Sequence, residues 1–185
     1  MSLFTSHTAD TAPEGSKEIL QNAEKQLGFL PNLYANFAEA PQTLKAYMHL
    51  SDLMEGTSFS AEEQQVIFLT ASVENGCEFC VAAHSVIAKN MVGVAEEIVN
   101  SIRDREDTDS DKINALIGFT QAVVRNRGWV DEAAIETFID AGYSKQQVLE
   151  VVLGVAMKTI SNYTNHITGT KTNKEFEGEA WSKDS

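Results

Sequence analysis

Apolar positions along this chain recur three and four residues apart, in runs punctuated by glycine and proline. That is the spacing of helices with one buried face. Pro13 opens the first run, in which Ile19, Leu20, Ala23 and Leu27 share a face that Gly28 should end. Phe29 to Asn32 reads as a turn, with Pro31 placed to start a second helix carrying Leu33, Tyr34, Phe37 and Ala38. Pro41 starts a third, with Leu44, Tyr47 and Met48 facing inward before Gly56. Ser60-Ala61-Glu62-Glu63 is a capping box. The helix it opens carries Val66, Ile67, Leu69, Thr70 and Val73, apolar nearly all round, and is therefore expected to be central.

Val81 to Lys89 is rich in alanine and aliphatics, and Val92-Gly93-Val94 turns the chain into a short helix from Ala95 to Arg103. The mixed charges from Arg103 to Asp111 read as an exposed connector. Ile113, Leu116, Ile117, Phe119, Thr120, Val123 and Val124 form a long amphipathic helix stopped at Gly128, and Glu132 to Ala141 forms another stopped at Gly142. Ser144 to Gln147 is a second capping box. It opens a helix whose Val148, Val151, Val152, Val155, Ala156, Ile160, Tyr163 and Ile167 are expected to face the core. No strand-length alternation is bounded by hairpin turns. The pattern predicts an all-α fold of roughly eight helices.

Three segments follow from the same pattern. Residues 1–12 are polar and form an arm ordered only if it docks, residues 13–169 form a single helical domain, and residues 170–185 form a polar tail. Phe176 and Trp181 are the only anchors in that tail, which is expected to wrap a neighbouring subunit or stay loose. Short helices leave apolar faces open, so the subunits should bury them on one another as a homo-oligomer.

Composition narrows the function. With 185 residues, 43% hydrophobic and 22% charged, the chain is long enough for one good core. The net charge of −13 argues against nucleic acid, whose phosphates it would repel, and against an anionic membrane surface. The apolar-rich stretch Val148–Met157 is too short to span a bilayer, and the N-terminus has no basic region followed by an apolar one. A cytoplasmic location is the expectation.

The chemistry gathers in Glu74-Asn75-Gly76-Cys77-Glu78-Phe79-Cys80-Val81-Ala82-Ala83-His84, which holds both cysteines of the protein. Asn75-Gly76 breaks one helix and Cys77 and Cys80 stand at the mouth of the next, where free amide N–H groups favour an anion. Positions 77, 80 and 84 fall on one face. Two thiols one turn apart can close a disulfide, and His84, one turn beyond, can hold or take a proton. Glu74, three residues before Cys77, could accept or relay one if burial raised its pKa. Other readings use the same residues. A zinc site would need a fourth ligand from His7, His49, His166 or a carboxylate. A structural disulfide closing so small a loop would remove little chain entropy. The cysteines could also be buried and inert.

At Cys77-x-x-Cys80-x-x-x-His84, preceded by an apolar helix and Asn75-Gly76, the chain resembles the alkylhydroperoxidase AhpD-like group of the carboxymuconolactone decarboxylase superfamily. Gly28-Phe29-Leu30-Pro31-Asn32-Leu33-Tyr34, Ala40-Pro41, Leu44 to Tyr47 and Ser161-Asn162-Tyr163-Thr164-Asn165-His166 resemble its uncharacterised peroxidase-related branch. The likeness covers most of residues 25–170. It implies an all-helical fold assembled as trimers or hexamers, and reduction of hydroperoxides by the thiol pair without a bound cofactor or metal. Carried over by position, Cys80 would attack the peroxide and become a sulfenic acid. Cys77 would resolve it as a disulfide and exchange with a dithiol reductant, and His84 would serve the thiolate. The family's relay has a glutamate where this chain has Gln65 and a histidine where it has Phe79, neither able to carry a proton here. Glu74 is the candidate substitute, with His166 a weaker second.

Rival functions remain at this stage. A dithiol disulfide reductase or redox-sensing adaptor would use the same pair on a partner protein. A non-redox lactone or decarboxylation enzyme would not need both cysteines.

Overall fold

The computed structural model describes residues 3–184. Among them are nine α-helices, one π-helical turn, one 3-10 helix and no strand. In chain order the helices are α1 (Glu14–Leu27), α2 (Asn32–Phe37), α3 (Pro41–Glu55), α4 (Ala61–Glu74), α5 (Glu78–Val86), α6 (Glu96–Asp104), α7 (Asp111–Arg125), α8 (Glu132–Asp140) and α9 (Lys145–Thr168). The π-helical turn, Ile87–Val92, continues α5 until Gly93 takes a left-handed φ of 81°. No described helix is long and apolar enough to cross a membrane.

Both capping boxes form. Ser60 Oγ accepts from Glu63 N at 3.2 Å while Ser60 N donates to Glu63 Oε2 at 2.9 Å, and Ser144 and Gln147 repeat the pair at 3.2 and 2.9 Å. Each cap contributes about 1 kcal/mol and fixes where a central helix begins. α4 is buried along most of its length and packs against α5, α6, α7 and α9. Gly154 lets α9 come close, since a Cβ there would stand 2.7 Å from Ile67 Cγ2.

α9 is turned differently from the expectation. Its buried residues are Val151, Gly154, Met157, Lys158, Ser161, Asn162, Asn165 and Thr168, whereas Val152, Tyr163 (53% exposed) and Ile167 (71% exposed) face outward. Apolar periodicity picked the wrong stripe in the C-terminal half. The inward stripe is polar there because it has polar partners: Asn36 Nδ2 donates to Thr168 Oγ1 at 3.2 Å, Asn75 Nδ2 to Asn162 Oδ1 at 2.9 Å, and the rest meet the sulfurs.

Residues near both ends of the described segment lie against the domain. Ser6 and His7 bond α2 and its end, through Asn36 Oδ1 at 2.5 Å, Ala35 O at 3.0 Å and Glu39 Oε2 at 2.8 Å. The tail neither reaches outward nor hangs free. The 3-10 helix Lys174–Glu179 folds back on α5, and Phe176 sits edge-on to Phe29 (5.6 Å) and Phe79 (5.9 Å). Glu179 then pairs with Arg103 at 2.6 Å and Lys89 at 2.9 Å, and Trp181 Nε1 donates to Arg103 O at 3.3 Å. Lys89 and Arg103 thus latch the tail beside the far end of α5.

Candidate active site

Cys77 caps α5 from an extended conformation, and Cys80 is in the first turn. Gly76, at φ 66°, makes the reversal between α4 and α5 that only a left-handed residue allows cheaply, and Cys77 N donates to Ser72 O at 2.9 Å. The two sulfurs are free thiols, 1% and 2% exposed, and close enough to hydrogen bond each other.

The stripe on α9 closes over them. Asn165 Nδ2 donates to Cys80 Sγ at 3.3 Å and to Cys77 Sγ at 3.5 Å. Ser161 Oγ lies 3.8 Å from Cys80 Sγ, and Lys158, wholly buried, adds a positive charge from the same helix. Burial pushes the Cys80 thiol up. The hydrogen bond from Cys77, the Lys158 charge, and donors on Ser161 and Asn162 outweigh it and bring Cys80 down to about 5. Donation to Cys80 and burial push Cys77 the other way, well above the ordinary thiol range. One sulfur is a thiolate at neutral pH, and the other is a thiol that donates to it.

His84 hydrogen bonds neither sulfur among the described residues. Its Nδ1 lies 2.9 Å from Gln65 Oε1 and its Nε2 lies 2.7 Å from Lys158 Nζ. An amide oxygen only accepts and an ammonium only donates, so the ring carries its proton on Nδ1 and accepts from Lys158 on Nε2. Burial, with the Lys158 charge, holds the imidazole well below its ordinary range and thus neutral. His84 reaches Cys80 through Lys158.

Glu74 needs a correction. Both of its oxygens are held by Arg125 of α7, Oε2 by Nε at 2.6 Å and Oε1 by Nη2 at 2.8 Å, and it hydrogen bonds neither sulfur. Arg125 lies 51 residues away in sequence, so the spacing around the cysteines carried no sign of it. His166 is exposed, stacks on Tyr163, and likewise bonds neither sulfur. No group of three or more His, Cys, Asp or Glu among the described residues could hold a metal ion.

The sulfurs open to different sides. Cys80 lies on the wall of a 400 Å³ cavity that is mostly apolar, with Phe29, Tyr34, Tyr47, Phe79 and Phe176 among its lining, and with His84 and Lys158 beside the sulfur. Cys77 borders a separate cleft of 470 Å³ with Glu78, Asn165, His166 and Lys183, half of it polar. Asn165 Oδ1 is enclosed there without a hydrogen-bond partner among the described residues.

Residues 41–122 match the model of the carboxymuconolactone decarboxylase family. The matched segment is under half of the chain. It supplies Gln65, both cysteines and His84, while Lys158, Ser161 and Asn165 lie outside it on α9. The whole fold is that of the AhpD-like proteins. An alkylhydroperoxidase AhpD core, an uncharacterised peroxidase-related protein from Ralstonia eutropha JMP134, superposes with a TM-score of 0.82 at 20% identity, covering 95% of this chain and 94% of that one. A peroxidase-related protein from Silicibacter sp. TM1040 gives 0.79 at 19% identity, covering 96% of each chain. The debrominase Bmp8 bound to 2,3,4-tribromopyrrole gives 0.81 at 19% identity, covering 97% of this chain and 96% of that one. No curated protein matches in sequence.

The residues that sequence reasoning missed are Lys158, Ser161 and Asn165. A signal existed: polar residues at 158, 161, 162 and 165 repeat at helical spacing within an otherwise apolar helix. A lysine on such a stripe needs a reason to be buried.

Proposed function

We propose that the protein is a dithiol hydroperoxidase in which Cys80 attacks the peroxide and Cys77 resolves the product. The observation that carries this reading is Cys80 on the wall of an apolar cavity, with Lys158 beside it and a second thiol in hydrogen-bond contact. Thiolate attack on the terminal peroxide oxygen breaks the O–O bond and leaves Cys80 as a sulfenic acid. Cys77 then displaces water from that sulfur and closes the disulfide, which spares Cys80 from further oxidation. The apolar lining suits an organic hydroperoxide, and the cleft beside Cys77 suits the reductant. An external thiolate attacking Cys77 there expels Cys80, the sulfur of lower pKa and so the better leaving group.

Intact-mass measurement tests this. One equivalent of organic hydroperoxide should remove two hydrogens from the reduced protein without forming an adduct. Cys77→Ser should instead gain one oxygen on Cys80 and stall. An unchanged mass in both would contradict the reading. Thiol exchange with a partner protein, but no peroxide consumption in stopped flow, would favour the reductase or sensor.

The aromatic cavity favours one further reading. Bmp8 is a debrominase, and the same pair could take a halogen from a small ring. Cys80 would accept it as the carbon–halogen bond breaks, the ring carbon would take a proton, and Cys77 would expel halide to form the same disulfide. Halide release from a brominated pyrrole, weighed against peroxide turnover, separates the two.

A further inference from the structure

Lys158 is an unusual cation. It is wholly enclosed, and no carboxylate pairs with it among the described residues. Its neighbours are the neutral ring of His84, the face of Phe68 at 6.0 Å, and the Cys80 sulfur whose charge it stabilises. In the reduced centre, then, one enclosed ammonium faces one enclosed thiolate. Peroxide attack destroys that balance. Cys80 becomes a neutral sulfenic acid, the ammonium is left unpaired in an enclosed site, and an alkoxide appears in an apolar cavity. Each is strongly unfavourable, and moving one proton removes both.

We infer that Lys158, which lines the cavity beside Cys80, is the acid of the reaction: its Nζ gives a proton to the departing oxygen and stays an amine until the disulfide is reduced. This rests on the dithiol reading above. The atoms balance. Cys80 sulfur takes the terminal oxygen of ROOH, the O–O bond breaks, and RO⁻ leaves as ROH with the Lys158 proton. Cys77 sulfur then bonds Cys80 sulfur, the S–O bond breaks, and the hydroxyl leaves as water with the Cys77 proton. The disulfide and an amine remain, with no enclosed charge. A dithiol reductant returns two electrons and two protons, one to Cys77 and one to Lys158, and Cys80 reappears as a thiolate.

Gln65 and His84 acquire a role as positioning residues. Gln65 accepts the Nδ1 proton, which leaves the Nε2 lone pair to hold Lys158 beside the sulfur. A glutamine that cannot carry a proton is therefore no defect here. The titratable groups that share a cavity with Lys158 are Cys80 and His84 from α5, Tyr47 from α3, Tyr34 from α2 and Glu175 at the wall, with Cys77 bonded to Cys80 behind it. Burial holds both tyrosines above their ordinary value and His84 below its own.

The test is the pH dependence of the thiol–disulfide equilibrium of the full chain. It is measured against a dithiol couple of known behaviour, between neutrality and the Cys80 value of about 5. Thiolate absorbance is followed in parallel. Two protons taken up with two electrons while Cys80 stays ionised give, once the reference dithiol's own two protons are accounted for, a 100-fold change per pH unit in the half-reaction constant of the pair, roughly 59 mV. A lysine charged in both states gives only a tenfold change, roughly 30 mV, and overturns the inference. Lys158→Arg keeps the charge but cannot release a proton. It should retain the thiolate, fall to the tenfold slope and lose about 10²-fold or more of peroxide turnover. Full turnover in that variant would also overturn the inference. Should it fail to fold, the wild-type slope alone decides. Absence of any reversible disulfide would instead remove the dithiol reading itself.

Discussion

Cys77 and Cys80 stand one helical turn apart, are equally buried, and accept from the same asparagine amide, yet ionise in opposite directions. Nearness to the start of α5 is common to both and so cannot separate them. What differs is which sulfur donates, and what α9 adds. Cys80 receives the Cys77 proton, the Lys158 charge and the Ser161 hydroxyl, whereas Cys77 receives the Asn165 amide and gives its own proton away. A Cys-x-x-Cys pair is thus made asymmetric by a helix some eighty residues later in the chain. The asymmetry in charge matches the asymmetry in access, with an apolar cavity at Cys80 and a more polar cleft at Cys77.

Lys158→Met should break that contrast most. It keeps the volume but removes the cation, and loss of a neighbouring opposite charge moves a buried group by roughly one to three pH units. The Cys80 midpoint should rise from about 5 by that amount, read from the pH profile of alkylation.

The stability of the reduced protein should show both cysteines at once. Cys80 binds fewer protons folded than unfolded above its value of about 5, so stability rises with pH from there to the ordinary thiol range. Above that range Cys77 keeps its proton in the folded state while the unfolded chain loses it, so stability falls again. Denaturant melts of the reduced protein across pH check this.

Asn165→Ala should blunt the contrast less. A hydrogen bond to a charged group contributes about 1.5–3 kcal/mol, so the Cys80 midpoint should rise by about one to two units, seen in the same alkylation profile. Glu74→Gln should leave the midpoint where it is. It loosens a pair with a half-exposed arginine, and solvent screening limits the cost to on the order of 1 kcal/mol, measured by urea unfolding. A shifted midpoint in that variant would return Glu74 to the centre.

Much of the fold could be read because its signals are local. Ser60, Ser144, Pro13, Pro31, Pro41, Gly28 and Gly169 mark helix ends through backbone chemistry that needs no tertiary partner. The sulfur pair and His84 were visible for the same reason, since spacing on one helix places them. What the sequence did not show depends on long-range pairing. Arg125 takes Glu74, Lys158 takes His84, and Phe176 fills the gap between Phe29 and Phe79. α9 misled because apolar residues occupy its outer stripe as well, so periodicity alone could not say which stripe faces in.

The most direct measurement is the pH profile of alkylation of the reduced wild-type protein, with each modified cysteine identified by mass. Cys80 should react as a thiolate down to a midpoint of about 5, while Cys77 stays unreactive through neutral pH. Equal reactivity of the two, or a Cys80 midpoint in the ordinary thiol range, would contradict a centre built on one ionised and one donating sulfur.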